Sequence, residues 1–299
     1  MSYGYPSQQS GPRRRGGLKF APILIGVAVI LFMYVRGCQP GPFGRHQVVA
    51  LNPQQEAALG LQAFGEVLEQ ADIVRRGPAA EMVKRVAQRL ASATHDPEFL
   101  ALTQQQPQNF DWQVELIRSD EKNAFCLPGG KIVVYTGILP LCETDAGLAT
   151  VMGHEIAHAL AHHGAERMAQ QQMVQVGLGA AGGSMSDMDP QRQQQLLSLL
   201  NAGAKFGILK YSRSHESEAD HMGLFLMAAA GYDPRQSIHF WERMQQATGS
   251  GAPSEFLSTH PSHDTRIHDL TAWMPEAMSL YEASQKAGRS QAIPQAERE

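Results

Sequence analysis

The longest uninterrupted apolar stretch lies close to the start of the chain. From Phe20 to Val35 no residue is charged, Leu18 extends the run, and Lys19 and Arg36 bracket it. This pattern predicts one membrane-crossing helix over residues 18–36, with the two end charges snorkelling to the interfaces. Residues 1–17 offer little to bury and are expected to be disordered. Residues 37–50, rich in Pro and Gly at first, read as a linker. Asn52 followed by Pro53 is a helix start, a capping side chain before a proline in the first turn, and the helix should run to about Gln70. Met82, Val83, Val86 and Leu90 recur at helical spacing, so residues 79–91 form a helix with one face in the core. Residues 96–109 read as a loop. The period then changes to two. Trp112, Val114 and Leu116 alternate with polar partners, Lys131 to Tyr135 is β-branched and apolar, and Pro128-Gly129-Gly130 turns the chain between strands. A small antiparallel sheet is predicted. Thr144 or Asp145 caps the next helix, and the Gly-rich stretch from Gly177 to Pro190 reads as a loop. Gly231 and Asp233-Pro234 separate two further helices, and residues 286–299 form a polar tail. The predicted class is α+β: a mainly helical domain over residues 51–285 with a small antiparallel sheet, preceded by one transmembrane segment.

With 299 residues, 43% of them hydrophobic and 18% charged, the chain has material for one core of ordinary size. A formal net charge of -4, counting its 12 His as neutral, supplies no basic field, which excludes nucleic acid as a partner. Cys38, Cys126 and Cys142 form no CxxC pair, so neither a zinc ribbon nor a dithiol redox site is indicated. In an oxidising compartment Cys126 and Cys142 could close one disulfide. Arg13, Arg14 and Arg15 precede the apolar run and mark its N-terminal side as cytoplasmic, which places the folded part on the other side of the membrane. A cleaved signal peptide lacks a small-x-small site here, and a lipoprotein anchored at Cys38 would have the ill-fitting Arg36 just ahead of it.

The chemistry concentrates in GHEIAHALAHH, from Gly153 to His163. Residues four apart share a helix face, so His154 and His158 can turn two imidazoles onto one zinc ion, with Glu155 beside a zinc-bound water as general base. The HExxH pattern arises by composition in roughly three chains of this size in a hundred, and the apolar spacers Ile156, Ala157, Leu160 and Ala161 suit a buried catalytic helix. His162 and His163 read as a solvated or supporting pair. SRSHESEAD, from Ser212 to Asp220, offers Glu216 and Glu218 as the third ligand. They point about 200° apart on a helix, whereas Glu216 and Asp220 share a face with Ala219 and Gly223. Glu216 is therefore assigned as ligand, and Asp220 as acceptor from the free ring nitrogen of a ligating histidine. Glu218 and His215 are assigned to a solvated face.

These motifs, with NAFCLPGGKIVVYTGILPLC from Asn123, GYDPRQSIHFWERM from Gly231 and EFLSTHPSHDTRIHDL from Glu255, resemble metallopeptidase family forty-eight over roughly residues 50–280. This is the zincin-type family of the HtpX and CAAX-prenyl-protease gluzincins, and the likeness is greatest to its mitochondrial Oma-type stress proteases and their bacterial periplasmic relatives. The resemblance implies one zinc per subunit, with the third ligand on Glu216 and the supporting aspartate on Asp220. It also implies that an extended substrate adds to an edge strand near the catalytic helix, here Lys131 to Tyr135 (Ile132, Val134) or its neighbour from Asn123 (Asn123, Phe125). In periplasmic relatives the histidine matching His260 can sit on the zinc, and a structural role is the other reading of it. Tyr211, His260 and Arg266 are candidates to stabilise the transition state. Cys126 departs from the small or apolar residue usual in the family, and a single clear span departs from the multi-span topology of HtpX.

The expectation is thus a membrane-anchored zinc metalloendopeptidase that hydrolyses misfolded or membrane-associated proteins in quality control. Its expected partners are polypeptide substrates and the lipid bilayer, with the oligomeric state left open. Its expected location is the bacterial inner membrane, single-pass with the domain in the periplasm; a lipoprotein and a mitochondrial inner-membrane protein are the alternatives. Two other functions compete. A non-catalytic zinc adaptor would have its site blocked by residues 177–190 or His260, and an intramembrane prenyl-protein protease would require several spans.

Overall fold

The computed structural model describes residues 19–186, 191, 194, 212–249, 256, 260 and 265–288. They divide into two compact units, one from residues 1–36 and 170–207 and the other from 37–169 and 208–299. The expected continuous domain over 51–285 is therefore interrupted by a segment that groups with the N-terminal helix.

In the first unit, α1 (Phe20–Gly37) is the one helix among the described residues long and apolar enough to cross a membrane. Phe20, Leu24, Ile25, Leu31, Phe32 and Val35 are exposed along it. The helix α7 (His163–Ser184) contributes its residues from 170 onward to this unit. The expected loop from Gly177 is thus helical as far as Ser184, while residues 187–190 lie outside the described residues. Small residues permit a close approach that favours the helix: a Cβ on Gly26 would lie 2.5 Å from the Cβ of Ala180. Lys19 N–H also donates to the carbonyl of Ser184 at 3.0 Å.

The second unit begins with a short hairpin, β1 (Cys38–Pro40) and β2 (His46–Val48), closed by a 3-10 turn over Pro42–Gly44. Most of the expected linker is therefore folded; its prolines and glycines turn the hairpin. Next come α2 (Pro53–Glu69), α3 (Pro78–Ala93) and α4 (Pro97–Thr103). Asn52 caps α2 as its sequence indicates, accepting from Gln55 N–H. On α3, Val83, Val86 and Leu90 are buried as a face. The helix α4 replaces the expected loop, and its cause is the same signal that started α2: Asp96 accepts from Glu98 and Phe99 N–H ahead of Pro97.

The three-stranded sheet has the order β3 (Gln113–Ile117), β5 (Lys131–Tyr135), β4 (Ala124–Leu127). The pair β4–β5 is antiparallel around the Pro128-Gly129-Gly130 turn, but β3 joins β5 in parallel, so the sheet is mixed where an antiparallel one was expected. The connection from β3 to β4 is too long for a tight hairpin and carries the chain past β5. The strand β5 is central and buried from Lys131 to Val134.

After α5 (Leu139–Cys142), α6 (Asp145–Leu160) starts at Thr144, whose hydroxyl accepts from Gly147 N–H. Every residue from Gly147 to Leu160 is buried, the signature of a helix at the centre of a core. It is covered by β4, α3, α8 (Arg213–Ala229) and α9 (Gln236–Gly249), with α10 (Arg266–Lys286) packed on α8. Glycines set the α6–α8 crossing: a Cβ on Gly223 would lie 2.8 Å from the backbone N of His154. That approach lets short carboxylate side chains on α8 reach the histidines of α6.

Candidate metal centre

On α6, His154 and His158 project from one face, with their Nε2 atoms 3.1 Å apart. Glu216, in the first turn of α8, brings Oε2 to 3.6 Å from Nε2 of His154 and Oε1 to 3.5 Å from Nε2 of His158. His260 adds Nδ1, 3.3 Å from Nε2 of His154 and 3.0 Å from Oε1 of Glu216. All four side chains are buried and offer ligand atoms within 4.8 Å of one another, a group that can hold a metal ion. A tetrahedral zinc with bonds of about 2.0–2.1 Å sets its ligand atoms about 3.4 Å apart. The five separations above fall on either side of that figure.

Proton placement points the same way. Asp220, one helical turn after Glu216, accepts from Nδ1 of His154 at 2.9 Å, so the lone pair of Nε2 faces the centre. Lone pairs converging beside a carboxylate repel one another unless a cation lies among them, so the donor set fits zinc. Arg266 holds both carboxylates, donating from Nε to Asp220 at 2.6 Å and from Nη2 to Glu216 at 2.9 Å. Burial alone would raise the pKa of Glu216; His260, His154 and Arg266 outweigh it and hold the group below its ordinary value. Asp220 is also lowered, against its own burial, chiefly by Arg266 and then by His154. The guanidinium is itself buried and stacked 3.8 Å from the Trp241 ring centre. Arg266, a candidate to stabilise a transition state, thus clamps the two carboxylates beside the histidines.

Glu155 sits on the next face of α6, buried, and its pKa is raised by that burial. Its Oε1 has no hydrogen-bond partner among the described residues and lies 3.5 Å from Nε2 of His260. The backbone of Cys126 on β4 also hydrogen-bonds this carboxylate, so one edge of β4 faces the catalytic helix. Because Tyr135 N–H donates to the Asn123 carbonyl, the alternation of an antiparallel pair turns the backbone groups of Ala124 and Cys126 outward. Ile132 and Val134 do not fit the edge-strand expectation, since β5 is flanked on both sides; among the described residues the edge strand facing the catalytic helix is β4, with Phe125 at its middle. Tyr211 lies outside the described residues. Cys126 and Cys142 are free thiols, the latter raised to about 12 by burial.

Glu218 and His215, assigned to a solvated face, are buried instead, in one layer with Glu166 and Arg45. Of the two readings of His163, solvated or supporting, its full burial between His158 and Glu218 leaves the supporting one. Only His162 is partly exposed, paired with Glu56 at 3.0 Å. A local sign was present: charged and histidine side chains punctuate two otherwise packable helices, although their partner Arg45 lies 121 and 173 residues away in sequence.

A buried helix carrying HExxH, crossed by a second helix that delivers a carboxylate to the same centre, defines a metal-dependent hydrolase. The chain belongs to peptidase family M48, whose family model matches residues 80–274. It is similar to the mitochondrial metalloendopeptidase OMA1 of Schizosaccharomyces pombe, 34% identical over 286 residues, which are 94% of this chain and 79% of that protein. OMA1 of Saccharomyces cerevisiae is 37% identical over 180 residues, 58% of this chain and 50% of the relative. The beta-barrel assembly-enhancing protease of Escherichia coli is 34% identical over 158 residues, 52% of this chain and 32% of the relative. The matched region thus spans half or less of those last two proteins. The fold and these relatives make the chain a metalloendopeptidase, a hydrolase acting on polypeptides.

Proposed function

We propose that this chain is a membrane-anchored, zinc-dependent endopeptidase that cleaves misfolded or membrane-associated proteins in quality control. The observation that carries this reading is the convergence of His154, His158 and Glu216 at tetrahedral spacing beside the buried carboxylate of Glu155. One zinc per subunit would be held by Nε2 of His154, Nε2 of His158 and the Glu216 carboxylate, with Asp220 fixing the ring of His154. Zinc there supplies Lewis acidity at the scissile carbonyl and makes water ionisable near neutral pH.

The protein's own groups supply the rest. Glu155 takes the proton of the attacking water and returns it to the leaving amine; a pKa raised by burial suits a group that must hold a proton between those steps. An extended substrate pairs with the outward backbone of β4, at Ala124 and at the Cys126 carbonyl, since the Cys126 N–H is held by Glu155; this mode is indifferent to sequence and so suits quality control. A neighbouring cleft of about 250 Å³, lined by Leu59, Leu127 and Met168 together with Glu56, His162 and Arg167, has room for a substrate side chain. The anchor is α1, and Arg13–Arg15 ahead of it favour a catalytic unit outside the cytoplasm, in a bacterial inner membrane or its mitochondrial counterpart.

His260 favours a second reading. Its Nδ1 faces Glu216 and its Nε2 faces Glu155, so it occupies the space a substrate carbonyl needs. A chain locked in this state would be a zinc adaptor without turnover. Casein digestion by the full-length protein in detergent separates the two. Cleavage that falls about 10²- to 10⁴-fold in Glu155→Gln, with zinc content unchanged, is expected for the peptidase; equal activity in wild type and variant rules it out, and stoichiometric zinc with no cleavage by either supports the adaptor.

A further inference from the structure

Behind His158 lies a charged layer with no part in the chemistry above. Nδ1 of His158 is 2.9 Å from Nδ1 of His163, and Nε2 of His163 is 2.7 Å from Oε2 of Glu218. Arg45 grips Glu218 and Glu166 together, with two contacts of 2.9 Å to each carboxylate. His215 completes the layer, with Nε2 3.1 Å from Glu166 and its ring stacked on His163 at 4.4 Å.

Two facing Nδ1 atoms can hydrogen-bond only if one of them carries the proton. If Nε2 of His158 is to offer its lone pair to a metal, its Nδ1 must be the donor. His163 then accepts at Nδ1, is protonated at Nε2, and donates there to Glu218. The opposite order would set a ring lone pair against a carboxylate at 2.7 Å and leave the proton of His158 pointing into the centre. The charge of Glu218 therefore selects the one order that frees His158 for ligation, and the two bidentate grips of Arg45 hold that charge in place.

We propose that Glu218, acting through His163, is a positioning residue for His158, and that Arg45 completes this relay. Arg45 belongs to the hairpin that immediately follows α1 and lies outside residues 80–274 matched by the family model. The segment next to the anchor is thereby part of the support of the metal site. This inference rests on His158 being a zinc ligand.

The test is the zinc dissociation constant of the full-length protein in detergent, read by competition with a chromophoric chelator, with unfolding of the apo-protein as the folding control. Glu218→Gln keeps the shape and removes the charge, so it should fold; it should weaken zinc binding about 10- to 100-fold. Arg45→Ala should act in the same direction, with Arg45→Lys in between. The cobalt-loaded Glu218→Gln protein should also show altered visible absorption, because the ring of His158 is no longer fixed. Zinc affinity within twofold of wild type in Glu218→Gln overturns the relay, as does a loss of apo stability with unchanged zinc affinity. If His158→Ala binds zinc as tightly as wild type, the ligand assignment of His158 fails instead.

Discussion

The two histidines of α6 are supported in different ways. His154 has a short arm: Asp220 touches its Nδ1 and Arg266 holds Asp220, all from α8 and α10 within the region that defines the family. His158 has a longer one, in which His163 stands between the ring and Glu218, and the arginine comes from a hairpin ahead of that region. Both arms end in a carboxylate held by a guanidinium, so the same electrostatic device is built twice. The short arm is sealed, with Arg266 at 1% exposure, whereas the Arg45 side chain is 28% exposed. A sealed arm depends on its own pairing for stability, while a partly solvated one can be removed at lower cost.

The largest effect that would break this comparison is on stability. Arg266→Ala leaves Glu216 and Asp220 buried without their cation and should destabilise the apo-protein by about 3–5 kcal/mol. Arg45→Ala, with water able to reach the site, should cost only about 1–2 kcal/mol. Denaturant unfolding of the two apo-proteins in detergent checks this; equal losses would mean that the outer arm is as much a structural pillar as the inner one.

A smaller effect concerns how the hairpin is fastened. His221 on α8 is stacked between Phe43 of the hairpin, at 4.2 Å, and Trp273 of α10, at 4.1 Å. Burial lowers its pKa to about 4, partly opposed by Glu218. The folded protein keeps this ring neutral while the unfolded chain takes up a proton below its ordinary value of 6.5. The stability it contributes is complete above pH 6.5, falls as the pH drops from 6.5 to 4, and levels off below that. His221→Phe should flatten this part of the stability profile by at most about 2 kcal/mol, allowing for its partial exposure. An unchanged slope in unfolding experiments between pH 6.5 and 4 would show that the stack is not what titrates.

The carboxylates of the short arm were legible in the sequence, its arginine and the long arm were not, for a physical reason. Glu216 and Asp220 sit one turn apart beside a glycine that permits a helix crossing, so local periodicity finds them. Glu218, on the opposite face of the same helix, follows the same rules and would be solvated on an isolated helix. It is buried because Arg45, 173 residues away, meets it, and no local pattern encodes that meeting. Other departures have similar origins. Asp96-Pro97 carries the helix-start signal read correctly at Asn52-Pro53, but the polar residues after Thr103 hid it. The glycines from Gly177 read as a loop, yet the segment is helical as far as Ser184; Gly177 and Gly179 meet no neighbour, and the close packing falls on Ala180 against Gly26 and on Gly183 against Pro22. β3 was legible from its period of two and β5 from its β-branched apolar run, while the short β1–β2 hairpin was hidden among prolines and glycines and the order of the sheet, with β5 central and β4 at the edge, depends on a parallel pairing that alternation cannot reveal.

X-ray absorption at the zinc edge of the full-length protein examines the proposed centre itself. Zinc held by His154, His158 and Glu216 should show a first shell of nitrogen and oxygen only, at about 2.0–2.1 Å, with outer-shell scattering from two or three imidazole rings. A sulfur neighbour at about 2.3 Å, or a shell without imidazole scattering, would contradict the assignment of His154, His158 and Glu216 as the ligands.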